Sequence, residues 1–196
     1  MRTLTSFIVK LEKTRKDTVK MGDKELYLES RYEEFQHRVT GGEIVSVPAK
    51  YDLGVKPGDT LYFHHHVVTQ RGQALDLDLS DDLYVVMFSD ESLIGNQAIA
   101  FRSKDTGEVS TLGGWVLLRP IPEDNGNRTV NGIEVVSIKE KPTKKAEFIY
   151  GSAKSAHMHV SPGDTVYFKK GSDYEIEVDG ETLLRIRPED LIYVEE

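Results

Sequence analysis

The sequence predicts an all-β chain of two tandem domains that share one design. Two observations carry that reading. The stretch Ser161-Pro162-Gly163-Asp164-Thr165-Val166-Tyr167-Phe168 repeats one found 105 positions earlier, Lys56-Pro57-Gly58-Asp59-Thr60-Leu61-Tyr62-Phe63. The blocks around it recur as well, in the same order, and each has the short apolar or alternating pattern of a strand.

Each Pro-Gly-Asp turn combines a fixed φ, a flexible position and a side chain that can bond its own backbone, so the chain reverses there. The β-branched and aromatic residues that follow fit a half-buried strand. Upstream, Gly42-Glu43-Ile44-Val45-Ser46-Val47 answers to Ala146-Glu147-Phe148-Ile149-Tyr150-Gly151. Further upstream, Phe7-Ile8-Val9-Lys10-Leu11 answers to Trp115-Val116-Leu117-Leu118-Arg119. Downstream, the block ending at Ile94 answers to the block ending at Ile192. Four blocks with offsets of 108, 104, 105 and 98 make a duplicated domain with loop-length drift.

A chain of 196 residues accommodates two such domains. We expect an N-terminal domain over 1–97, a linker over 98–112 that mixes a possible strand, Ala98-Ile99-Ala100-Phe101, with the polar stretch Arg102 to Glu108, and a C-terminal domain over 113–196. Small domains bury a modest share of their surface and often lean on oligomerisation. With no cysteine, disulfide staples and thiolate metal sites are excluded. The start Met-Arg-Thr-Leu-Thr lacks a signal-peptide core and no run reaches membrane-span length, so a cytoplasmic protein without a membrane partner is expected. A net charge of −8 argues against nucleic acid, whose nonspecific affinity needs a basic face. The basic run Lys139 to Lys145 reads as a solvated loop.

In chain order, Leu4 to Leu11 is the first strand, with Phe7, Val9 and Leu11 alternating against Ile8 and Lys10. Glu12 to Gly42 lacks periodicity, holding the turn signal Gly22-Asp23 and the apolar triplet Leu26-Tyr27-Leu28. Ser30 to Val39 reads equally as a short helix or an extended arm. Loops of this length in compact domains are usually functional or disordered. Glu43 to Val47 and Leu83 to Phe88 are strands, and Leu75-Asp76-Leu77-Asp78-Leu79 is an edge strand with a charged wet face. In the second domain Trp115 to Pro120 is the first strand, and Pro122 to Lys145 the long irregular loop. Tyr174 to Leu184 is a hairpin with Asp179-Gly180 at its tip, and Leu191 to Val194 ends the chain as a strand.

No catalytic constellation emerges: there is no nucleophile elbow, phosphate-cradling glycine loop or His-Glu-x-x-His. We expect no enzyme, no cofactor and no metal. Asp59 and Asp164 are explained by turn hydrogen bonding. His64-His65-His66 continue a strand, where neighbours point to opposite faces and only His64 and His66 could share a ligand. The run therefore reads as surface or subunit contact, as do His157 and His159.

The order Trp115-Val116-Leu117-Leu118-Arg119-Pro120, long loop, Ala146 to Gly151, Pro-Gly-Asp-Thr-Val-Tyr-Phe and Arg187-Pro188-Glu189-Asp190-Leu191-Ile192-Tyr193-Val194 resembles the GroES-like co-chaperonins. The resemblance spans Gly113 to Glu196 and, more weakly, Leu4 to Ile94. It implies two small irregular β-barrels, each with a long mobile loop. It also implies a homo-oligomeric ring that caps a GroEL-type chaperonin over an enclosed client, with ATP bound by the chaperonin. The docking triplets carried over by position are Ile133-Glu134-Val135, followed by Val136, and Leu26-Tyr27-Leu28. Glu134 and Tyr27 depart from a wholly aliphatic pattern.

The stretches Pro48 to Lys56 and Ser152 to Ser161 are short where family members carry a roof hairpin. That resembles the open-roofed co-chaperonins of tailed phages and would place the protein in a host cytoplasm. The tandem arrangement resembles the double-domain co-chaperonins of plastids, whose paired domains cannot match a sevenfold chaperonin end one-to-one in a single ring. The alternative reading is a virion assembly or scaffold protein that uses barrel domains for subunit contacts.

Overall fold

Both Pro-Gly-Asp turns close in the same way. In a computed structural model of the chain, the Asp59 amide donates to the Lys56 carbonyl at 3.2 Å and the Asp164 amide to the Ser161 carbonyl at 3.1 Å. Gly58 and Gly163 take φ of 94° and 99°, the left-handed backbone that the third position of a type II turn requires. The carboxylates fasten the turns from the side. Lys56 N–H donates to Asp59 Oδ2 at 2.8 Å, and Ser161 N–H donates to Asp164 Oδ2 at 2.8 Å.

The structure describes residues 3–12, 18–21, 24–27, 38–69, 82–91, 95–122, 128–130, 133–135, 143–151, 156 and 158–195. The edge strand expected over Leu75 to Leu79 and the docking residues Leu28 and Val136 lie outside them. So do His157 and with it half of the short crossing Ser152 to Ser161, and all but the end of Ser30 to Val39. Among the described residues no helix is long and apolar enough to cross a membrane.

The chain divides into two compact units, Met1–Gly113 and Gly114–Glu196. The first unit contains β1 (Ser6–Lys10), β2 (Thr18–Met21), β3 (Lys24–Tyr27), β4 (Gly41–Ser46) and β5 (Thr60–Phe63). The helical turn α1 (His66–Thr69) follows, and then β6 (Leu83–Met87), β7 (Ala98–Arg102) and β8 (Val109–Thr111). Six of these strands form an antiparallel sheet in the order β6-β1-β4-β5-β7-β8.

The second unit contains β9 (Val116–Pro120), β10 (Arg128–Val130), β11 (Ile133–Val135) and β12 (Thr143–Tyr150). It continues with β13 (Thr165–Lys169), β14 (Tyr174–Val178), β15 (Glu181–Ile186) and β16 (Leu191–Val194). Its antiparallel sheet runs β14-β15-β9-β12-β13-β16. The protein is thus mostly β, with two six-stranded antiparallel sheets.

Five strands match one for one: β6-β1-β4-β5-β7 in the first sheet and β15-β9-β12-β13-β16 in the second. The irregularities match too. Register shifts between Ile8 and Val9 on the β1–β4 ladder, and between Phe148 and Tyr150 on the β12–β9 ladder. It shifts again after Tyr62 and after its counterpart Tyr167. Ile44 N–H donates to the Asp59 carbonyl, and Phe148 N–H to that of Asp164, both at 2.8 Å. Bulges fix local twist and register, so their recurrence is a strong sign of one design used twice.

These pairings correct the sequence alignment of the first strand. Lys10 pairs with Glu43 and Arg119 with Glu147, so Phe7 is equivalent to Val116 and the offset is 109. A one-residue slip exchanges the faces of a strand. With the offset of 109, Phe7 and Val9 in the first core are matched by Val116 and Leu118 in the second. Likewise Val86 pairs with Phe7 and Ile186 with Val116, an offset of 100.

The segment 98–112 is the second correction. Rather than linking the units, it supplies β7 and β8 to the first sheet, where Ala98, Ile99 and Ala100 are fully buried. β7 stands where β16 stands in the second sheet.

In the first unit Phe7, Val9, Ile44, Leu61, Phe63 and Val86 form the heart of the core. In the second, Val116, Leu118, Phe148, Val166, Phe168 and Ile186 do the same. Ile8 and Leu117, on the other faces of their strands, are buried as well, so the first strands read as apolar runs rather than simple alternation.

Candidate functional site

The two long loops contain β-structure that their composition hid. Thr18–Met21 pairs with Lys24–Tyr27 in one two-stranded sheet, and Arg128–Val130 pairs with Ile133–Val135 in another. Met21 faces Lys24 across Gly22-Asp23, and Val130 faces Ile133 across Asn131-Gly132. Two-residue hairpin connections favour these pairs: Gly first suits a type II′ turn and Asn-Gly a type I′ turn. The readable signal was Asn131-Gly132 between β-branched Val130 and Ile133.

Each hairpin is a two-stranded sheet apart from the six-stranded one of its unit. A lone two-stranded hairpin is marginally stable in water. It therefore gains most of its order from whatever it packs against.

The described residues singled out for docking fall on the second strand of each hairpin. Leu26 and Tyr27 close β3, and Ile133, Glu134 and Val135 make up β11. Leu26 pairs with Val19 and Tyr27 with Thr18, whereas Ile133, Glu134 and Val135 pair with Val130, Thr129 and Arg128. The turns also show that the two triplets are not level. Counted from its turn, Ile133-Glu134-Val135 matches Lys24-Glu25-Leu26, and Leu26-Tyr27 matches Val135-Val136. At level places on the second strand, the second hairpin has Ile133 where the first has Lys24, while Glu134 matches Glu25 and Val135 matches Leu26.

Hydrogen bonds to backbone amides account for the two conspicuous aspartates. Asp59 is 3% exposed. Its second oxygen, Oδ1, accepts the Lys104 amide at 2.9 Å, tying the turn to the chain beyond β7. Asp164 accepts the Ser161 amide in the same manner as Asp59 accepts that of Lys56.

The histidine run departs from its expectation. β5 ends at Phe63, and α1 begins at His66, so the three imidazoles do not alternate across a strand. Their ring centroids lie 4.6 Å (His64 to His65), 4.3 Å (His64 to His66) and 4.4 Å (His65 to His66) apart. His66 N–H donates to His64 Nδ1 at 3.3 Å. His159, in the second unit, is a positive-φ residue beside the Pro-Gly-Asp turn, at φ 53°.

No family model matches the chain. Among curated proteins, the co-chaperonin GroES of Coprothermobacter proteolyticus is 33% identical over 94 residues, spanning 44% of this chain and 94% of the relative. The chain belongs to the GroES co-chaperonin family. The co-chaperonin GroES of Thermosipho africanus is 35% identical over 86 residues, which is 43% of this chain and 93% of that protein. That of Solidesulfovibrio magneticus is 35% identical over 94 residues, 44% and 96% respectively. Nearly a whole GroES thus corresponds to less than half of this chain. With the second matched sheet, that is consistent with two GroES-like domains in tandem.

Proposed function

We propose that the protein is a co-chaperonin: a lid that caps the ring of a GroEL-type chaperonin and encloses a folding client. The observation that carries this reading is the identity of 33–35% to proteins named co-chaperonin GroES, over nearly their full lengths. The contact is made by the two hairpins, through Leu26, Tyr27 and Leu28 in the first unit and Ile133, Glu134, Val135 and Val136 in the second.

The physics of a short apolar segment in a polar loop suits a lid that must also leave. Ordering such a segment on binding costs about 2–5 kcal/mol of the gross interaction energy, so one hairpin binds weakly. Several chains in a homo-oligomeric ring convert later contacts into intramolecular ones, with avidity gains of about 10²–10⁴. The lid is then tight as a ring and releasable hairpin by hairpin.

The second hairpin carries the larger share. Register positions 133 and 135 lie on one face of its ladder, and both are aliphatic, whereas the level positions in the first hairpin are Lys24 and Leu26. The dome is open-roofed in this reading. Its support is that residues 48–56 contain no strand and are instead tied back to the start of the chain, with Ala49 and Lys50 N–H donating to the Thr3 and Leu4 carbonyls at 3.0 Å each.

The test is lid-dependent refolding of a chaperonin client, comparing the full chain with Ile133→Asp/Val135→Asp. The variant should keep its β-sheet signal and ring size while losing most client yield, and Leu26→Asp should lose less. Full yield from the double variant would remove the hairpins from the contact and favour a scaffold role.

A further inference from the structure

We infer that His64, His65 and His66 form a binding site for a late first-row divalent cation of the zinc class, held in the first unit at the junction of β5 and α1. One ligand atom from each imidazole lies within 4.8 Å of those of the other two. Imidazole nitrogen is a preferred donor for zinc, copper and nickel. Three such donors leave one place of a tetrahedral zinc open to water or an external ligand.

The backbone explains why neighbours in sequence converge. Phe63 and Val67 are buried on either side of the run, at 0% and 5% exposure, which anchors both ends. His64 N–H donates to the Gln97 carbonyl at 2.9 Å, Val67 N–H to the His64 carbonyl at 3.1 Å, and Val68 N–H to the His65 carbonyl at 3.0 Å. The chain therefore turns within the run, and the side chains gather instead of alternating. His66 is exposed and His64 and His65 are half-buried, so an ion reaches the cluster from solvent.

Zinc–nitrogen bonds of about 2.0–2.1 Å in tetrahedral geometry place the donors about 3.4 Å apart. The rings must close by at most about 1.4 Å, which side-chain rotation supplies. Coordination gives up the long bond from His66 N–H to His64 Nδ1, a small loss beside a metal–ligand bond.

The repeat supplies an internal comparison. With the offset of 105 that relates β5 to β13, the positions of His64, His65 and His66 are held by Lys169, Lys170 and Gly171. The shared architecture does not require imidazoles at this strand end, since the second unit builds the same sheet order without them. The cluster is an addition confined to the first unit.

The test uses the full chain, stripped with a chelator and titrated with zinc chloride, and the same chain with His64→Gln/His65→Gln/His66→Gln. One zinc per chain should bind, the first unit's Tm should rise by several degrees at saturating zinc because only the folded site binds, and cobalt should give the visible absorption of a four-coordinate site with three nitrogen donors. The triple variant should lose all three responses, and His157→Gln/His159→Gln should keep them. Should the triple variant fold poorly, His66→Gln alone, at an exposed position, should weaken zinc at least tenfold. Zinc binding that survives the triple variant, that is absent from the unaltered chain, or that leaves Tm unmoved overturns the site. None of these outcomes depends on the lid reading.

Discussion

Gly42 lies directly against Leu11. A Cβ placed on Gly42 would stand 2.5 Å from Leu11 Cδ2 and 3.0 Å from the Lys10 carbonyl oxygen. The equivalent position in the second unit is Ala146, fully buried, and it pairs with Pro120 where the first unit has Leu11. Each unit has thus settled the same crowded spot in its own way, with a glycine under a leucine or an alanine under a proline. Gly42→Ala should destabilise the first unit by about 1–3 kcal/mol through overpacking. Combined with Leu11→Ala, the cost should be well below the sum of the single changes. Hydrogen exchange of the β1 and β4 amides reads this out, and strict additivity would show that the two positions do not press on each other.

The turn aspartates should differ in weight although their bonds match. Asp59 is buried and accepts two amides, those of Lys56 and Lys104, whereas Asp164 accepts that of Ser161 at a more exposed site. Hydrogen bonds to a charged group contribute about 1.5–3 kcal/mol, and unpaired buried donors add cost. Asp59→Ala should therefore unfold the first unit at clearly lower urea than Asp164→Ala unfolds the second. Equal midpoint shifts would contradict this ranking.

Much of the design was legible in the sequence because the repeated turn carries its own instructions. Pro, Gly and Asp each do one job there, and β5 and β13 follow at once. What was not legible depended on partners distant in sequence. Ala98-Ile99-Ala100-Phe101 reads as a possible strand, but the polar stretch Arg102 to Glu108 after it makes the segment look like a linker, and only the pairing of Leu61 with Phe101 and Tyr62 with Ala100 assigns it to the first sheet. The hairpins of three or four residues per strand are too short to show periodicity. The histidines converge because β5 stops at Phe63, and no residue in the run announces that stop.

Arg119 grips two carboxylates, donating to Glu147 Oε2 at 2.8 Å and to both oxygens of Glu181. The hydrogen bond from Arg119 holds the Glu181 carboxyl below the usual glutamate range. A depressed carboxyl stabilises the fold above its unfolded pKa of about 4.3 and loses that contribution as pH falls through the lower folded value. Arg119→Gln should bring the Glu181 midpoint, followed by NMR, back up toward that of free glutamate. An unmoved midpoint would mean that the pair does not hold in solution.

Arg185 lies over the chain's single tryptophan, its guanidinium carbon 4.0 Å from the Trp115 ring centroid and 5.0 Å from that of Tyr174. Burial pushes the guanidinium down to about 10, a cost on the order of 3 kcal/mol. Two cation–π contacts of about 1–2 kcal/mol each offset most of it. The folded pKa is depressed, so the cost is present at neutral pH and is relieved as pH rises through about 10. Arg185→Met should accordingly change stability by no more than about 1 kcal/mol, whereas Arg185→Ala should cost more and shift Trp115 emission to the red. A large loss in the Met variant would show that the cation itself holds the site.

Co-elution with a GroEL-type chaperonin on a sizing column separates the proposed lid from a protein that never meets a chaperonin. The protein would be mixed with a GroEL-type chaperonin with and without ATP or a nonhydrolysable analogue, alongside a variant with Leu26, Ile133 and Val135 changed to Asp. A lid should co-elute in a nucleotide-dependent way, and the variant should lose that co-elution while keeping its own elution volume. Failure to co-elute under any nucleotide, or equal co-elution of the variant, would contradict the lid proposal.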